Sequence, residues 1–263
     1  MISAKLLGGL GNQMFVIAST YALALRNNTE AKFNFDECFT PLQGFTSNKY
    51  KDNIFKNVKT YQGNYPFKNY YKEPKHSYSP IPYSEDLLIH DSYLQSELYF
   101  KDYKKEIIDL FHFDEKDINM VNSHIDFLTS SEISITTVHV RRGDYLKFPN
   151  VHPTMSVAYY KEAMNRIGHD NVFIFVSDDM NWVKENFKGE NIFYSPFNDE
   201  IMDLTLFTQA DNNIICNSSF SWWGAYLNQY EDKTIIAPKH WFHKDANIDD
   251  STLIPNDKNW IRL

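Results

Sequence analysis

The sequence predicts an α/β protein whose C-terminal part is a parallel, doubly wound sheet. Three observations carry that expectation. From residue 134 onward, short apolar stretches alternate with stretches of helical spacing. The apolar stretches are near-continuous, as in strands covered on both faces. The chain also opens with an apolar run, a glycine turn and a helical stretch, the start of an α/β unit.

Taken in order, residues 2–7 read as a short buried strand, which Gly8-Gly9-Leu10-Gly11 breaks. Residues 12–27 read as a helix, with Met14, Ile17, Tyr21 and Ala24 at helical spacing. Lys32-Phe33-Asn34-Phe35-Asp36 alternates and predicts a second strand. Residues 41–89 are rich in Tyr, Lys, Asn and Pro and show little periodicity, so they read as long loops and short elements over a binding face. Residues 87–90 predict a brief strand, and residues 93–103 begin a polar, aromatic helical stretch. Residues 104–127 predict a helix bridging two halves. Strands over 134–140, 172–176, 192–194, 213–216 and 234–237 then alternate with helices over 156–167, 180–187, 200–210 and 220–229. The expected halves are 1–128 and 129–263. No internal repeat or low-complexity tract interrupts them.

A chain of 263 residues buries a substantial core in one large domain or two small ones. Aromatic residues make up 16%, and such rings either line a sugar site or fill a glycine-poor core. The net charge of -8 argues against broad binding to nucleic acid or to anionic membranes. A small phosphate-bearing ligand needs only a few local cations and stays open. Cys38 and Cys216 lack metal-ligand spacing, and so sparse a pair predicts a reducing compartment without a disulfide framework. No apolar run approaches the roughly 18–20 residues of a membrane span. The opening apolar run is too short for a signal peptide, so a cytoplasmic location is expected.

Four segments fall just past predicted strand ends, where ligands of doubly wound sheets sit. The first is Gly8-Gly9-Leu10-Gly11-Asn12-Gln13-Met14-Phe15. Glycines there admit a ligand close to the backbone, or simply form a tight turn. Gly9 and Gly11 fit two positions of a dinucleotide fingerprint, but Met14 stands at the third, and no Walker lysine follows. The second is Val138-His139-Val140-Arg141-Arg142-Gly143-Asp144-Tyr145. Alternation puts His139 and Arg141 on one face and Arg142 on the other. An arginine fork clamps a diphosphate bidentately, and Asp144 can hold it in place; the bland alternative is a surface ion-pair cluster. The third is Val176-Ser177-Asp178-Asp179, whose carboxylates suit ribose hydroxyls, a base amine, a metal or a helix N-cap. The fourth is Asn217-Ser218-Ser219-Phe220-Ser221-Trp222-Trp223-Gly224, whose hydroxyls and backbone N–H groups suit phosphate oxygens or an ordinary cap.

Together these segments resemble glycosyltransferase family eleven, the α-1,2-fucosyltransferases, in its bacterial form. The matching pieces are Gly-Gly-Leu-Gly-Asn-Gln-Met-Phe at 8–15, Tyr-Leu-Gln-Ser-Glu at 93–97, His-Val-Arg-Arg-Gly-Asp-Tyr at 139–145 and Ser-Asp-Asp at 177–179. Met-Asp-Leu at 202–204, Asn-Ser-Ser-Phe-Ser-Trp-Trp-Gly-Ala at 217–225 and Ile-Ala-Pro-Lys at 236–239 complete them. One departure is Asp91-Ser92 ahead of Tyr93, where Gly and Phe are expected nearby. The resemblance implies a GT-B-like fold of two Rossmann-like halves, acceptor-side over 1–128 and GDP-sugar-binding over 129–263. It implies GDP-β-L-fucose as donor, inversion at the anomeric carbon and no metal or other cofactor. The implied acceptor is a galactose-containing glycan or polysaccharide repeat, taken at O-2 of a terminal galactose; peripheral membrane association stays open. It places Arg141 on the diphosphate, His139 near the nucleotide, Asp178 at the guanosine end, Ser218 and Ser219 on the phosphates, and Asn12 toward diphosphate and sugar. Gly9, Gly11, Ser177, Asn217 and Phe220 join the donor-binding set, and Arg141, Asn12, His139 and Asp144 the catalytic one.

The expected chemistry has negative charge building on GDP as the sugar C1–O bond lengthens. Arg141 and backbone donors at the Gly11 and Ser218 turns would stabilise that charge. Asp144, His139 and Glu97 are candidate bases by chemistry alone. A nucleotide-sugar oxidoreductase or epimerase is disfavoured, because the full glycine fingerprint and a Tyr-x-x-x-Lys pair are missing. A non-catalytic carbohydrate-binding protein would need no diphosphate clamp.

Overall fold

The structure, a computed structural model, describes residues 1–38, 44–129 and 133–263; residues 41–43 of the expected loop stretch lie outside them. The chain divides into two compact units. Unit 1 comprises Met1–Phe113 and Ile248–Pro255, and unit 2 comprises Asp114–Asn247 and Asn256–Leu263.

Unit 1 holds a three-stranded parallel sheet of β1 (Ile2–Ala4), β2 (Asn69–Tyr71) and β3 (Leu87–Ile89), in the order β1-β3-β2. Helix α1 (Leu10–Arg26) begins two residues before its expected start, because Gly9 is extended and serves as its N-cap. The strand expected over 32–36 reduces to two single bridges, Ile2 to Ala31 and Phe33 to Thr60. Asn34 ends it locally: its Oδ1 accepts the Asp36 N–H at 3.1 Å, and a 3-10 turn follows over Phe35–Glu37. A short polar side chain here outcompetes the strand ladder. The helical stretch expected from residue 93 is two 3-10 turns, Glu97–Tyr99 and Lys101–Tyr103. The long helix expected over 104–127 is two helices, α2 (Lys104–Leu110) and α3 (Glu115–Leu128). Between them Phe111 takes extended backbone and is buried, its ring 6.1 Å from that of Phe55.

Unit 2 is built on six parallel strands in the order β6-β5-β4-β7-β8-β9. These are β4 (Ser134–Val140), β5 (Asn171–Ser177), β6 (Ile192–Tyr194), β7 (Asn212–Ile214), β8 (Ile235–Ala237) and β9 (Trp260–Arg262). Counted within the unit, that order is 3-2-1-4-5-6, the doubly wound order of nucleotide-binding sheets. The edge strand β9 was not foreseen, since its three residues carry no periodicity. Helices α4 (Val157–Ile167), α5 (Met180–Asn186), α6 (Glu200–Gln209) and α7 (Ser219–Leu227) fall where alternation placed them. Their starts are chemical: Ser156 accepts from the Tyr159 N–H, Asp179 from Trp182 N–H, and Asp199 from the Ile201 and Met202 N–H groups. Phe175 stacks on Phe187 with ring centroids 4.7 Å apart, and Trp222 and Trp223 are fully buried.

Candidate active site

The strand order reverses between β4 and β7, and in sheets of this topology ligands bind outside the carboxyl ends at that point. Two of the four candidate segments leave those two strands, and a third leaves the neighbouring β5. Unit 2 therefore gathers His139, Arg141, Asp144, Ser177, Asp178, Asn217, Ser218 and Phe220 around one edge.

Arg141 is the first residue past β4, and its side chain is 25% exposed. Its Nη2 lies 2.6 Å from Asp144 Oδ1, and its Nη1 lies 3.2 Å from Asp178 Oδ2. Burial opposes the charge, but Asp178 and Asp144 more than restore it, so the guanidinium is held above its ordinary value. A guanidinium carries five N–H donors. The structure engages one on each Nη, which leaves Nε–H and two further N–H groups without a partner among the described residues. Arg142 behaves differently. Its Nε pairs with Asp179 Oδ2 at 3.0 Å, and its guanidinium lies 4.2 Å over the Trp182 ring. Its backbone N–H donates to Asp178 Oδ1 at 2.9 Å. Asp178 thus ties β5 to the end of β4 with both oxygens, and Ser177 Oγ accepts the Asp179 N–H at 2.9 Å.

His139 is 5% exposed. Its Nδ1 lies 2.8 Å from Ser221 Oγ and 3.2 Å from Cys216 Sγ, and its ring packs on Phe207 and Phe220. Burial first, then the Arg141 charge, pushes its pKa down to about 3. The ring is therefore neutral at working pH, and Nδ1 is committed to its neighbours. Burial likewise pushes the Cys216 thiol up to about 12, so it is no nucleophile. Asn217 is a brace: its Nδ2 donates to the carbonyls of Pro153 and Trp241, each at 2.9 Å. Ser218 is the N-cap residue of α7 by backbone geometry without a side-chain cap bond, and Ser219 and Phe220 are half-buried.

Gly9, Gly11 and Asn12 belong to unit 1. Gly8 is left-handed at φ +73°, and a Cβ there would stand 2.4 Å from Asn12 Nδ2. Asn12 Oδ1 accepts from Gln95 Nε2 at 2.7 Å, which joins the glycine loop to the Tyr-Leu-Gln-Ser-Glu segment. Gln13 is the structural partner of the loop. Its Nε2 donates to the carbonyls of Gly8 and Phe45, and its Oε1 accepts from Ser47 Oγ. Glu97, named as a candidate base, sits in the 3-10 turn Glu97–Tyr99 of unit 1.

Sequence reasoning did not single out Tyr145, His152, Ser221 or Asp203. Tyr145 is buried under the Arg141 guanidinium, and its hydroxyl donates to Asn217 O at 2.8 Å. Asp203, on α6, accepts a hydrogen bond from Ser195 just past β6; burial raises its carboxyl to about 6. Its signal was present in Met-Asp-Leu, but nothing in sequence gave it a role. Among the described residues, no group of three His, Cys, Asp or Glu side chains is placed to hold a metal ion, and no helix is long and apolar enough to cross a membrane.

A doubly wound α/β sheet with a half-buried arginine at its topological switch point defines a protein of the nucleotide-ligand class. The sequence matches glycosyl transferase family 11 over residues 1–262, and the chain belongs to that family. Among its relatives, the O-antigen biosynthesis glycosyltransferase WbnK of Escherichia coli is 30% identical over 97% of this chain and 98% of its own. The alpha-1,2-colitosyltransferase of Escherichia coli is 29% identical over 100% of this chain and 99% of its own. The galactoside 2-alpha-L-fucosyltransferase SEC1 of Bos taurus is 29% identical over 86% of this chain and 63% of its own. The solved fucosyltransferase NodZ from Bradyrhizobium superposes with a TM-score of 0.55 at 14% identity, covering 85% of this chain and 92% of that one. That likeness is one of fold, and the expected GT-B-like α/β fold with parallel sheets is the fold found.

Proposed function

We propose that this glycosyltransferase moves L-fucose, with inversion, from GDP-β-L-fucose to O-2 of a terminal galactose on a glycan. Arg141 carries the reading. It holds a fixed cation at the switch point, and three of its N–H donors have no partner among the described residues. The leaving group of such a donor is a diphosphate, whose charge grows as the C1–O bond opens. A preorganised guanidinium stabilises that charge without reorganising, which is the work a metal does in other transferases. Asp144 and Asp178 aim the fork, and Ser218, Ser219 and the α7 N-terminus offer further donors. Asp178 also braces Arg141, with one oxygen on its guanidinium and the other on the Arg142 N–H, and keeps acceptor capacity for the guanosine end. In unit 1, Asn12 is assigned to the donor on the family resemblance, with its carboxamide fixed by Gln95. The two free cysteines, one of them buried, fit the expected cytoplasmic setting.

Family membership and the galactoside fucosyltransferase relative support this donor and acceptor. The colitosyltransferase relative, aligned over the whole chain, makes a GDP-colitose donor the second reading. The test is GDP release from each donor with galactoside acceptors, with and without EDTA. Turnover with GDP-fucose that survives EDTA supports the proposal. Galactoside binding without GDP release from either donor overturns it.

A further inference from the structure

His152 lies on the loop between β4 and α4, and that loop is pinned on both sides of it. Val151 O accepts from the His243 N–H at 3.0 Å, and Pro153 O accepts from Asn217 Nδ2 at 2.9 Å. The His152 N–H itself donates to Phe148 O at 2.9 Å. The imidazole stacks on Tyr145, with centroids 4.8 Å apart and planes at 20°, and packs on Phe242. The same Tyr145 ring has the Arg141 guanidinium 5.7 Å from its centroid, so His152 and Arg141 share one aromatic support.

The polar atoms are unusual. His152 Nδ1 is buried and has no hydrogen-bond partner, and the same is true of Asp144 Oδ2. The other oxygen of Asp144 is on Arg141. Two unpartnered buried groups of complementary kind, on one pinned loop, call for an explanation. Core packing does not supply one, since an apolar ring would fill the space without the desolvation cost. The charged groups that face the imidazole are Asp144, which favours its protonation, and Arg141, which with burial opposes it. Burial outweighs Asp144, so the ring is neutral near pH 7 and able to take a proton.

We infer that His152, beside the Asp144 carboxylate, accepts the proton of the acceptor hydroxyl through its ring nitrogen Nε2. The inference deepens the transfer reading above and rests on it. In the step, the acceptor oxygen bonds to C1 as the C1–O bond to the diphosphate breaks. The bonding pair leaves with GDP, and the hydroxyl proton passes to His152 and then to solvent. Asp144 stabilises the imidazolium for the moment it exists.

The test uses the full chain with His152→Gln, His152→Phe and His152→Ala. GDP affinity is measured by titration in the parent and each variant, which checks the donor reading separately. Expected are GDP affinity within about threefold of the parent and kcat lowered about 10²-fold or more. The acid limb of the pH–rate profile should flatten in His152→Gln, and exogenous imidazole should restore part of the His152→Ala rate. His152→Phe keeps the stack on Tyr145 but has no nitrogen, so a near-parental rate in it overturns the inference. Parallel loss of GDP affinity and rate, or failure of imidazole to rescue a folded His152→Ala, also overturns it. Absence of GDP binding in the parent sinks the donor reading instead.

Discussion

Arg141 Nη2 and Asp144 Oδ1 stand 2.6 Å apart, three residues from one another on the turn that leaves β4. The pair fixes one corner of a planar fork and leaves its remaining edges pointing where Asp144 dictates. Lysine, a point charge on a flexible stem, could not reproduce that direction.

Arg141 and Arg142 are adjacent in sequence and differ in expected consequence. Arg141→Ala should lower kcat/KM by about 10²–10³, as for loss of one preorganised donor, and should also lower the unfolding midpoint, because it strands the Asp144 and Asp178 carboxylates. Arg141→Lys should recover only part of it. Arg142→Ala removes the Asp179 pair and the stack on Trp182. It should lose about 1–2 kcal/mol of stability, with turnover near the parental value. Steady-state kinetics beside chemical denaturation separate the two, and parental turnover by Arg141→Ala removes the clamp from the mechanism.

His139 gives the fold an acid limit. Its folded pKa is about 3, below the ordinary value near 6.5, so the unfolded chain binds the extra proton. The stability from this ring is present above about pH 6.5 and is lost as pH falls toward 3, by an amount on the order of 4 kcal/mol. Unfolding free energy measured from pH 7 to 4 should fall steeply in the parent and more gently in His139→Gln. An imidazole that titrates near 6.5 by NMR in the folded protein would contradict the burial argument.

Asp203 works with the other sign. Its folded pKa is raised to about 6 by burial, so the folded chain holds the proton longer. The stability of that carboxyl is complete below about pH 4 and is lost as pH rises through 6. Asp203→Asn keeps an oxygen for the Ser195 hydroxyl and never ionises. It should match the parent at pH 4 and exceed it by about 3 kcal/mol at pH 7.5. Equal stability at both pH values would show that the carboxyl is better solvated than its surroundings suggest.

What could be read from sequence follows from physics of short range. The seven residues of β4 run straight into two arginines, and alternation put those arginines on opposite faces, where they meet different partners. The β–α alternation beyond residue 134 was legible because the central strands β4 and β5 are buried along nearly their whole length and helices α4, α5 and α6 start on a capping side chain. The edge strands β2 and β9 are partly exposed and carry no apolar run, so nothing in the sequence marks them. The charge states were hidden for another reason: His139 reads as a titrating base until burial is known. The Tyr145–His152 stack joins residues seven apart on an irregular loop, and no sequence period places those rings together.

Gly224 and Phe207 offer the sharpest test of the packing behind the site. A Cβ at Gly224 would stand 2.4 Å from Phe207 Cβ, closer than side-chain atoms approach, and both partners are rigid helix positions on α7 and α6. Elsewhere in a helix, Gly→Ala gains about 1 kcal/mol. Here the overlap should reverse the sign, costing about 1–3 kcal/mol or more. The Phe207 ring also packs on His139 and Phe220, so the displacement should reach the donor edge and weaken GDP binding as well. Phe207→Gly in the Gly224→Ala background removes the Cβ that the new methyl meets, and the double variant should then cost less than the two single costs added together. Strict additivity of the two substitutions would mean that α6 and α7 are not in the close contact that sets the Phe207 ring against His139.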